Sequence, residues 1–380
     1  MKSLRLVLSE PRYLSLAVVF LSLSMWFTTW AIYIPRVQQQ LGVDKFQLGI
    51  AISFLSAGVF VIFPLASPII QRLGLGRSTW IAVILASCSA LIPLAANDFY
   101  LLCAGLFLFG STNGLTDISM NTLAAEIERK EGVHIMSALH GFFSLGGVLA
   151  GLGSFLVPRV SHPFLHMLVV VVLVFALNYL MRRQYLGVEA PVQGNARLRF
   201  SDIRPLLVMG LIGFISMGSE GAILDWSGLF LREISLAPER LIGSGIILFS
   251  LFMTLGRFLG DYFSQVLGSR WLLIGGACII ITGYVWILFR STPAALIGFS
   301  LTGMGFSVMV PEVFRLAGRQ RAISADKAVS FVAGSGYTGF LTAPFILGFL
   351  ADAYSVYTSF QVLTVAAFLV LFLLLVRVRS

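Results

Sequence analysis

The chain has 380 residues, 58% of them hydrophobic and only 11% charged, with a mean hydropathy of +0.92. A soluble domain carries about 25% charged residues, so a soluble enzyme or nucleic-acid-binding module is excluded and a polytopic membrane protein is indicated. The net charge of +9 is positioned by topology: with a cytoplasmic N-terminus, all of the 26 Lys and Arg except Arg36, Lys45, Arg159, Arg232, Arg240 and Arg290 fall in cytoplasmic segments or at their edges, the positive-inside pattern.

In lipid the backbone must satisfy its own hydrogen bonds, which leaves α-helices or a closed β-barrel. The apolar runs are about 20 residues long, not short and alternating, and this predicts an all-α fold. Twelve spans are expected, near 14–34, 47–70, 79–96, 99–124, 135–157, 163–181, 205–230, 241–264, 271–289, 293–315, 325–350 and 354–376. Twelve is even, so both termini share one side, and Lys2, Arg5, Arg12, Arg377 and Arg379 place them in the cytoplasm. The basic stretch 182–204 is expected to link two six-helix halves, 1–181 and 205–380. No cleavable leader is expected, because the first apolar run continues to Ile34 without a small-residue cleavage pattern.

The first span carries Trp26, Trp30 and Tyr33 and no charge. Trp26 and Trp30 stand one helical turn apart and suit either a stacking platform for a sugar-like ring or an aromatic belt. In the fourth span, Asn113, Asp117 and Asn121 follow i, i+4, i+8 spacing and form one helical stripe. A carboxylate at such depth costs roughly 2.5–3.5 kcal/mol on insertion scales, so it faces a wet cavity or ties two helices together. His140 lies in the fifth span at similar depth. Adjacent to Asp117 it would form a proton-exchange pair; alternatively it is a neutral imidazole bonded to a backbone carbonyl or a hydroxyl.

The seventh span holds Glu220 and Asp225, the tenth Glu312, and the eleventh Tyr337. Burial disfavours an ionised carboxyl, which makes Glu220 a second candidate for proton coupling. Glu312 precedes Arg315 by three residues, a spacing that pairs them along one helix. The three cysteines lie in apolar segments and read as small buried hydrophobes, with neither disulfide nor metal site expected.

The two halves echo each other at an offset of 191–194 residues. Gln71-Arg72-Leu73-Gly74 matches Gln265-Val266-Leu267-Gly268, and Ser144-Leu145-Gly146-Gly147 matches Ser335-Gly336-Tyr337-Thr338-Gly339. Weak internal symmetry at half the chain length is a mark of secondary transporters.

Several segments resemble the major facilitator superfamily, in its YbjJ-like and fucose-permease-like branch. Asn113 to Asn121 is similar to the fourth-helix signature of that branch, and His140-Gly141-Phe142-Phe143-Ser144-Leu145-Gly146-Gly147 to its fifth helix. Glu220-Gly221-Ala222-Ile223-Leu224-Asp225-Trp226-Ser227 is similar to its seventh, and Gly256-Arg257-Phe258-Leu259-Gly260-Asp261 resembles the superfamily's loop motif after helix 8. The resemblance implies two six-helix bundles around a central cavity lined by helices 1, 4, 7 and 10, and rocker-switch alternating access. It implies that Arg72, Arg77, Arg257 and Asp261 belong to cytoplasmic latches. Gln71 stands where the superfamily usually has Asp, and the first helix has no acid of the kind fucose carriers use.

The expected function is therefore secondary transport of a small polar, sugar-like solute, coupled to protons through Asp117, His140 and Glu220. The expected solute-binding set is Asn113, Asp117, Asn121, Trp26, Trp30, Glu220, Asp225 and Tyr337. The alternatives are export of amphipathic or toxic compounds, and a membrane receptor or scaffold that transports nothing. An inner-membrane monomer is expected, with lipid, solute and a coupling ion as its partners, and with no cofactor, nucleic acid or enzymatic activity.

Overall fold

The structure is a computed structural model that describes residues 2–133, 135–190, 206–318 and 325–376. Its described helices are α1 (Lys2–Ser9), α2 (Pro11–Leu41), α3 (Lys45–Leu73), α4 (Leu75–Ser89), α5 (Ile92–Ala95), α6 (Phe99–Glu131) and α7 (Met136–Leu152). They continue with α8 (Pro163–Met181), α9 (Leu207–Glu233), α10 (Ser244–Leu267), α11 (Ser269–Ile287), α12 (Thr292–Gly318), α13 (Ala325–Ala353) and α14 (Val356–Val376). Among the described residues, 12 helical stretches are long and apolar enough to cross a bilayer. The protein is an all-helical, multi-pass membrane protein.

Several helices outrun the apolar segments that reveal them. Apolar length measures only the hydrocarbon crossing, whereas a helix continues until its backbone is capped. Gly42 ends α2 at φ 64° and Gly132 ends α6 at φ 66°, the left-handed conformation that glycine adopts without strain. The span expected over 79–96 is one crossing, Leu75–Ala95, with a short turn inside it. α4 stops at Ser89 and α5 restarts at Ile92, with Pro93 in its first turn where a missing N–H does no harm.

The chain divides into two compact units: Met1–Asp44 with Ile50–Gln193, and Lys45–Gly49 with Gly194–Ser380. Each unit contains largely enclosed helices, among them α2 in the first and α9 in the second. Along α2 only Pro11, Gln39 and Gln40 are exposed, and along α9 only Leu207 and Leu211. α8 and α14, by contrast, turn rows of Leu, Val and Phe outward, as lipid-facing helices do.

The same close contacts recur in both units. A Cβ on Gly146 of α7 would lie 2.4 Å from the Leu21 carbonyl oxygen of α2, and one on Gly339 of α13 would lie 2.1 Å from that of Phe214 on α9. Gly110 of α6 approaches Leu55 of α3, and Gly303 of α12 approaches Phe249 of α10, at 1.8 and 2.2 Å by the same measure. Gly74, between α3 and α4, and Gly268, between α10 and α11, share φ near +80° and ψ of 154°. Small residues at these points let helix backbones touch, and the glycine pattern read from the sequence is a packing pattern repeated once.

The stretch expected to be a linker begins as part of the first unit. Arg182–Gln184 forms a 3-10 turn, Tyr185 is buried, and the Gly76 amide donates to the Val188 carbonyl at 2.9 Å. The remainder of that stretch, 191–204, lies outside the described residues.

Overpacked cores lose about 1–3 kcal/mol, so Gly110→Val is expected to lower the melting temperature of the detergent-purified protein by several degrees. Gly275→Ala, where an added Cβ meets nothing within 4 Å, should leave it unchanged or raise it. Equal melting temperatures for Gly110→Val and wild type would contradict this packing account.

Candidate functional site

In the first unit the polar stripe of α6 is built around Asp117. Asn121 sits one turn further along and its Nδ2 donates to the Asp117 carbonyl at 2.9 Å and to Oδ1 at 3.0 Å. Asn113, one turn before, is buried, and its Oδ1 accepts from no protein donor. A free acceptor inside an apolar helix bundle is costly. Gly110 and Gly114 on the same helix press against α3 and fix how α6 is rotated.

The other candidates of this unit surround α2. The His140 imidazole packs edge-on against Phe20, with ring centroids 5.2 Å apart. Trp26 and Trp30 are fully buried, and neither indole N–H finds an acceptor. Both rings belong to the interior of the unit in this conformation, and neither offers an open face for stacking. α2 is also tied to α8, where Asn178 donates to Ser22 Oγ at 2.8 Å.

Both ends of the first unit are clamped. At one end, Glu131 of α6 accepts from Tyr13 at 2.6 Å and pairs with Arg12 at 2.7 Å, while Glu128 accepts from the backbone amides of Ile135 and Met136 that open α7. At the other end, Arg36 donates to the carbonyls of Val157, Val160 and Ser161, and Tyr33 bonds His166 at 3.0 Å. None of these clamps was foreseen. Asp117 lies on the stretch of α6 between them.

In the second unit the central feature is an ion pair. Glu220 of α9 lies 3.5 Å from Arg257 of α10, with side chains 12% and 15% exposed. The resemblance implies a latch role for Arg257 and Asp261; Glu220 is one partner of Arg257, and the Asp261 side chain lies outside those described. Arg257 shares the buried stripe of Ser250, Met253, Thr254 and Ser264, while Leu251, Leu255, Phe258, Leu259 and Tyr262 form the exposed stripe. An arginine cannot shed its proton in a protein, so one turned inward needs an anion. That rule could have found the pair, since Glu220, Asp225 and Glu312 are the acids well inside the spans of this half.

Two further acids of α9 and α12 are placed differently. Asp225 is 5% exposed, and its Oδ1 has no hydrogen-bond partner. Glu312 is 2% exposed and meets Arg315 at 2.8 Å, one turn along α12. Arg315 also donates to Ser264 Oγ of α10, so this pair fastens two helices together. A cavity of about 10 Å³ among Ser216, Ser219, Ala277, Phe306 and Met309 has room for about one water and none for a solute. Tyr337 on α13 is half-buried, and Arg72 and Arg77 are exposed at the turn joining α3 to α4. Among the described residues no cluster of His, Cys, Asp and Glu could hold a metal ion.

The family profile of the Major Facilitator Superfamily matches residues 14–319. The chain belongs to this superfamily of membrane transporters. An uncharacterised MFS-type transporter of Yersinia pestis is 30% identical over 361 residues, covering 93% of this chain and 94% of its own. Membrane protein MosC of Rhizobium meliloti is 31% identical over 329 residues, covering 85% and 80%. Among solved structures the nucleoside transporter NupG superposes with a TM-score of 0.73 at 14% identity, covering 96% of this chain and 98% of its own. A bacterial homologue of the human lysosomal transporter Spinster does so at 0.72 and 12%, covering 95% of each. At these identities the structural likeness shows the shared fold.

Removing Arg315 strands Glu312 in the interior. Breaking a buried pair costs about 3–5 kcal/mol, and Arg315 is 32% exposed, so the lower end applies. Thermal unfolding of Arg315→Leu should show a clear loss, and Glu312→Leu with Arg315→Leu should recover most of it. A double variant no more stable than the single one would remove the clamp from the account.

Proposed function

We propose that this protein is a secondary transporter that carries a small polar, sugar-like solute across the inner membrane by alternating access, driven by protons. The observation that carries the reading is the pair of charged side chains, Glu220 and Arg257, on the inward stripes of two apolar helices. Ion pairs are weak stabilisers when buried, because desolvation offsets attraction. Charges inside a membrane protein therefore belong by default to a transport path. The superfamily membership supports transport, and the inward polar stripe of α6 supports a polar solute over an amphipathic one.

In this reading Asp117 and Glu220 exchange protons with the aqueous phases, with His140 assisting Asp117. Asn113, Asn121, Asp225 and Tyr337 contact the solute, and Trp26 and Trp30 support α2 behind it. Arg72, Arg77 and Asp261 stabilise one access state. The basic residues near both termini hold them in the cytoplasm, the lipid bilayer is the surrounding partner, and the unit of function is a monomer.

A thermal-shift screen of sugars, acids and drugs identifies a solute, since a ligand raises the melting temperature by mass action. Uptake of that solute into proteoliposomes should rise with an inward proton gradient, and Asp117→Asn should abolish the response to the gradient. Undiminished proton-driven uptake in Asp117→Asn would take Asp117 out of the mechanism.

A further inference from the structure

In the first unit, the seam between α4 and α8 joins an aromatic cluster to arginines without counter-ions. The start of α4 and the end of α8 stand side by side: a Cβ on Gly76 would lie 1.9 Å from the Tyr185 carbonyl oxygen, just beyond α8. At that end the Trp80 indole of α4 stacks on Phe175 of α8, with ring centroids 5.6 Å apart, and meets Tyr179 at 6.2 Å. The Arg182 guanidinium closes the group. Its Cζ lies 3.5 Å from the centre of the Tyr179 ring and 5.8 Å from that of Trp80, and it donates to the Tyr179 carbonyl. Aromatic faces hold an arginine in place without neutralising it, and a bond to one carbonyl leaves most of its N–H donors open.

The charge around this cluster is one-sided. Residues 72–89 and 163–190 contain Arg72, Arg77, Arg182 and Arg183 against one acid, the exposed Glu189. Among the described residues none of these arginines makes an ion pair. Arg77 stands one turn before Trp80 on the same side of α4. It also heads an outward stripe, in which Arg77, Ile81, Leu85 and Cys88 are all exposed. On α8, Leu173 and Leu177 are exposed as well. Cations at the end, aromatic rings next and an apolar stripe beyond follow the order of phosphate, glycerol and acyl chain in a phospholipid. Topology signals require only that Lys and Arg be near a span; they do not require a guanidinium laid over two rings.

We propose that the α4–α8 seam is a binding site for an anionic phospholipid, with Arg77 and Arg182 taking its phosphate and Trp80 and Tyr179 lying against its glycerol. Arginine suits this ligand, because its planar fork meets two phosphate oxygens at once. Basic clusters between membrane helices select headgroups by charge. A zwitterionic lipid brings its own ammonium group among the arginines and is disfavoured there. The bound lipid fastens α8 to α4 where the chain leaves the sixth span. The site goes beyond the transport reading and is independent of the solute, since it engages neither Asp117 nor the Glu220–Arg257 pair.

The test adds phosphatidylglycerol or phosphatidylcholine with the same acyl chains to the purified full chain in a non-ionic detergent. Melting temperature and lipid adducts in native mass spectrometry are the readouts. Phosphatidylglycerol should raise the melting temperature by several degrees more than phosphatidylcholine, and this excess should shrink as salt is added. Arg77→Gln and Arg182→Gln should each lose part of the excess, and together most of it, along with the preference for phosphatidylglycerol adducts. Arg77→Lys with Arg182→Lys should keep part, since lysine retains the charge and lacks the fork. Arg5→Gln, which removes an exposed arginine of α1, should keep all of it. Melting in phosphatidylcholine reports whether each variant folds. Equal stabilisation of the wild type by both lipids, or a full excess in the Gln variants, would overturn the proposal. An equal loss in Arg5→Gln would overturn it too, because the effect would then be one of diffuse surface charge. So would the same excess from inorganic phosphate or glycerol 3-phosphate, since the ligand would then be a free anion.

Discussion

An arginine keeps its charge wherever the chain puts it. In the second unit this constraint acts on Arg257, which α10 turns toward the interior and which Glu220 meets from α9. The rest of the unit is arranged to make that possible. α9 is enclosed along almost its whole length, Gly339 brings α13 against it, and Gly303 brings α12 against α10. Each close approach spends a side chain to gain backbone contact, the usual way of holding helices together where hydrocarbon outside is as apolar as the interior.

The first unit solves the same packing problem with the same glycines and a different polar centre. Gly146 and Gly110 stand where Gly339 and Gly303 stand in the second unit. At the place of interest there is Asp117 with its Asn121 partner, and two of the unit's cations, Arg12 and Arg36, are fixed at its two ends. The repeated scaffold is thus separable from the chemistry mounted on it. The scaffold follows from small residues at fixed intervals, and the chemistry from a few ionisable groups that differ between the copies.

Much of the scaffold was legible in the sequence because lipid leaves few choices. Apolar runs of about 20 residues must be helices, and the offset between Gly74 and Gly268 reappears as one shared backbone conformation. Helix ends were less legible, since hydropathy fades before Gly42 and Gly132 stop α2 and α6. Pro93 could have revealed the break between α4 and α5. The site was legible as a set of residues but not as a set of contacts. Spacing showed that Asp117 and Asn121 share a stripe, because both lie on one helix. It could not show that Arg257 meets Glu220 from another helix, nor that Trp26 and Trp30 are enclosed, because hydropathy does not distinguish a ring in a cavity wall from one in a core.

The most direct measurement is a double-mutant cycle on the Glu220–Arg257 pair, read as unfolding stability of Glu220→Gln, Arg257→Gln and the combined variant in detergent. If the two charges are energetically bound to each other, the combined loss falls short of the sum of the single losses by about 1–3 kcal/mol. Losses that simply add would mean the two side chains ignore each other, and the organising interaction of the second unit would be absent.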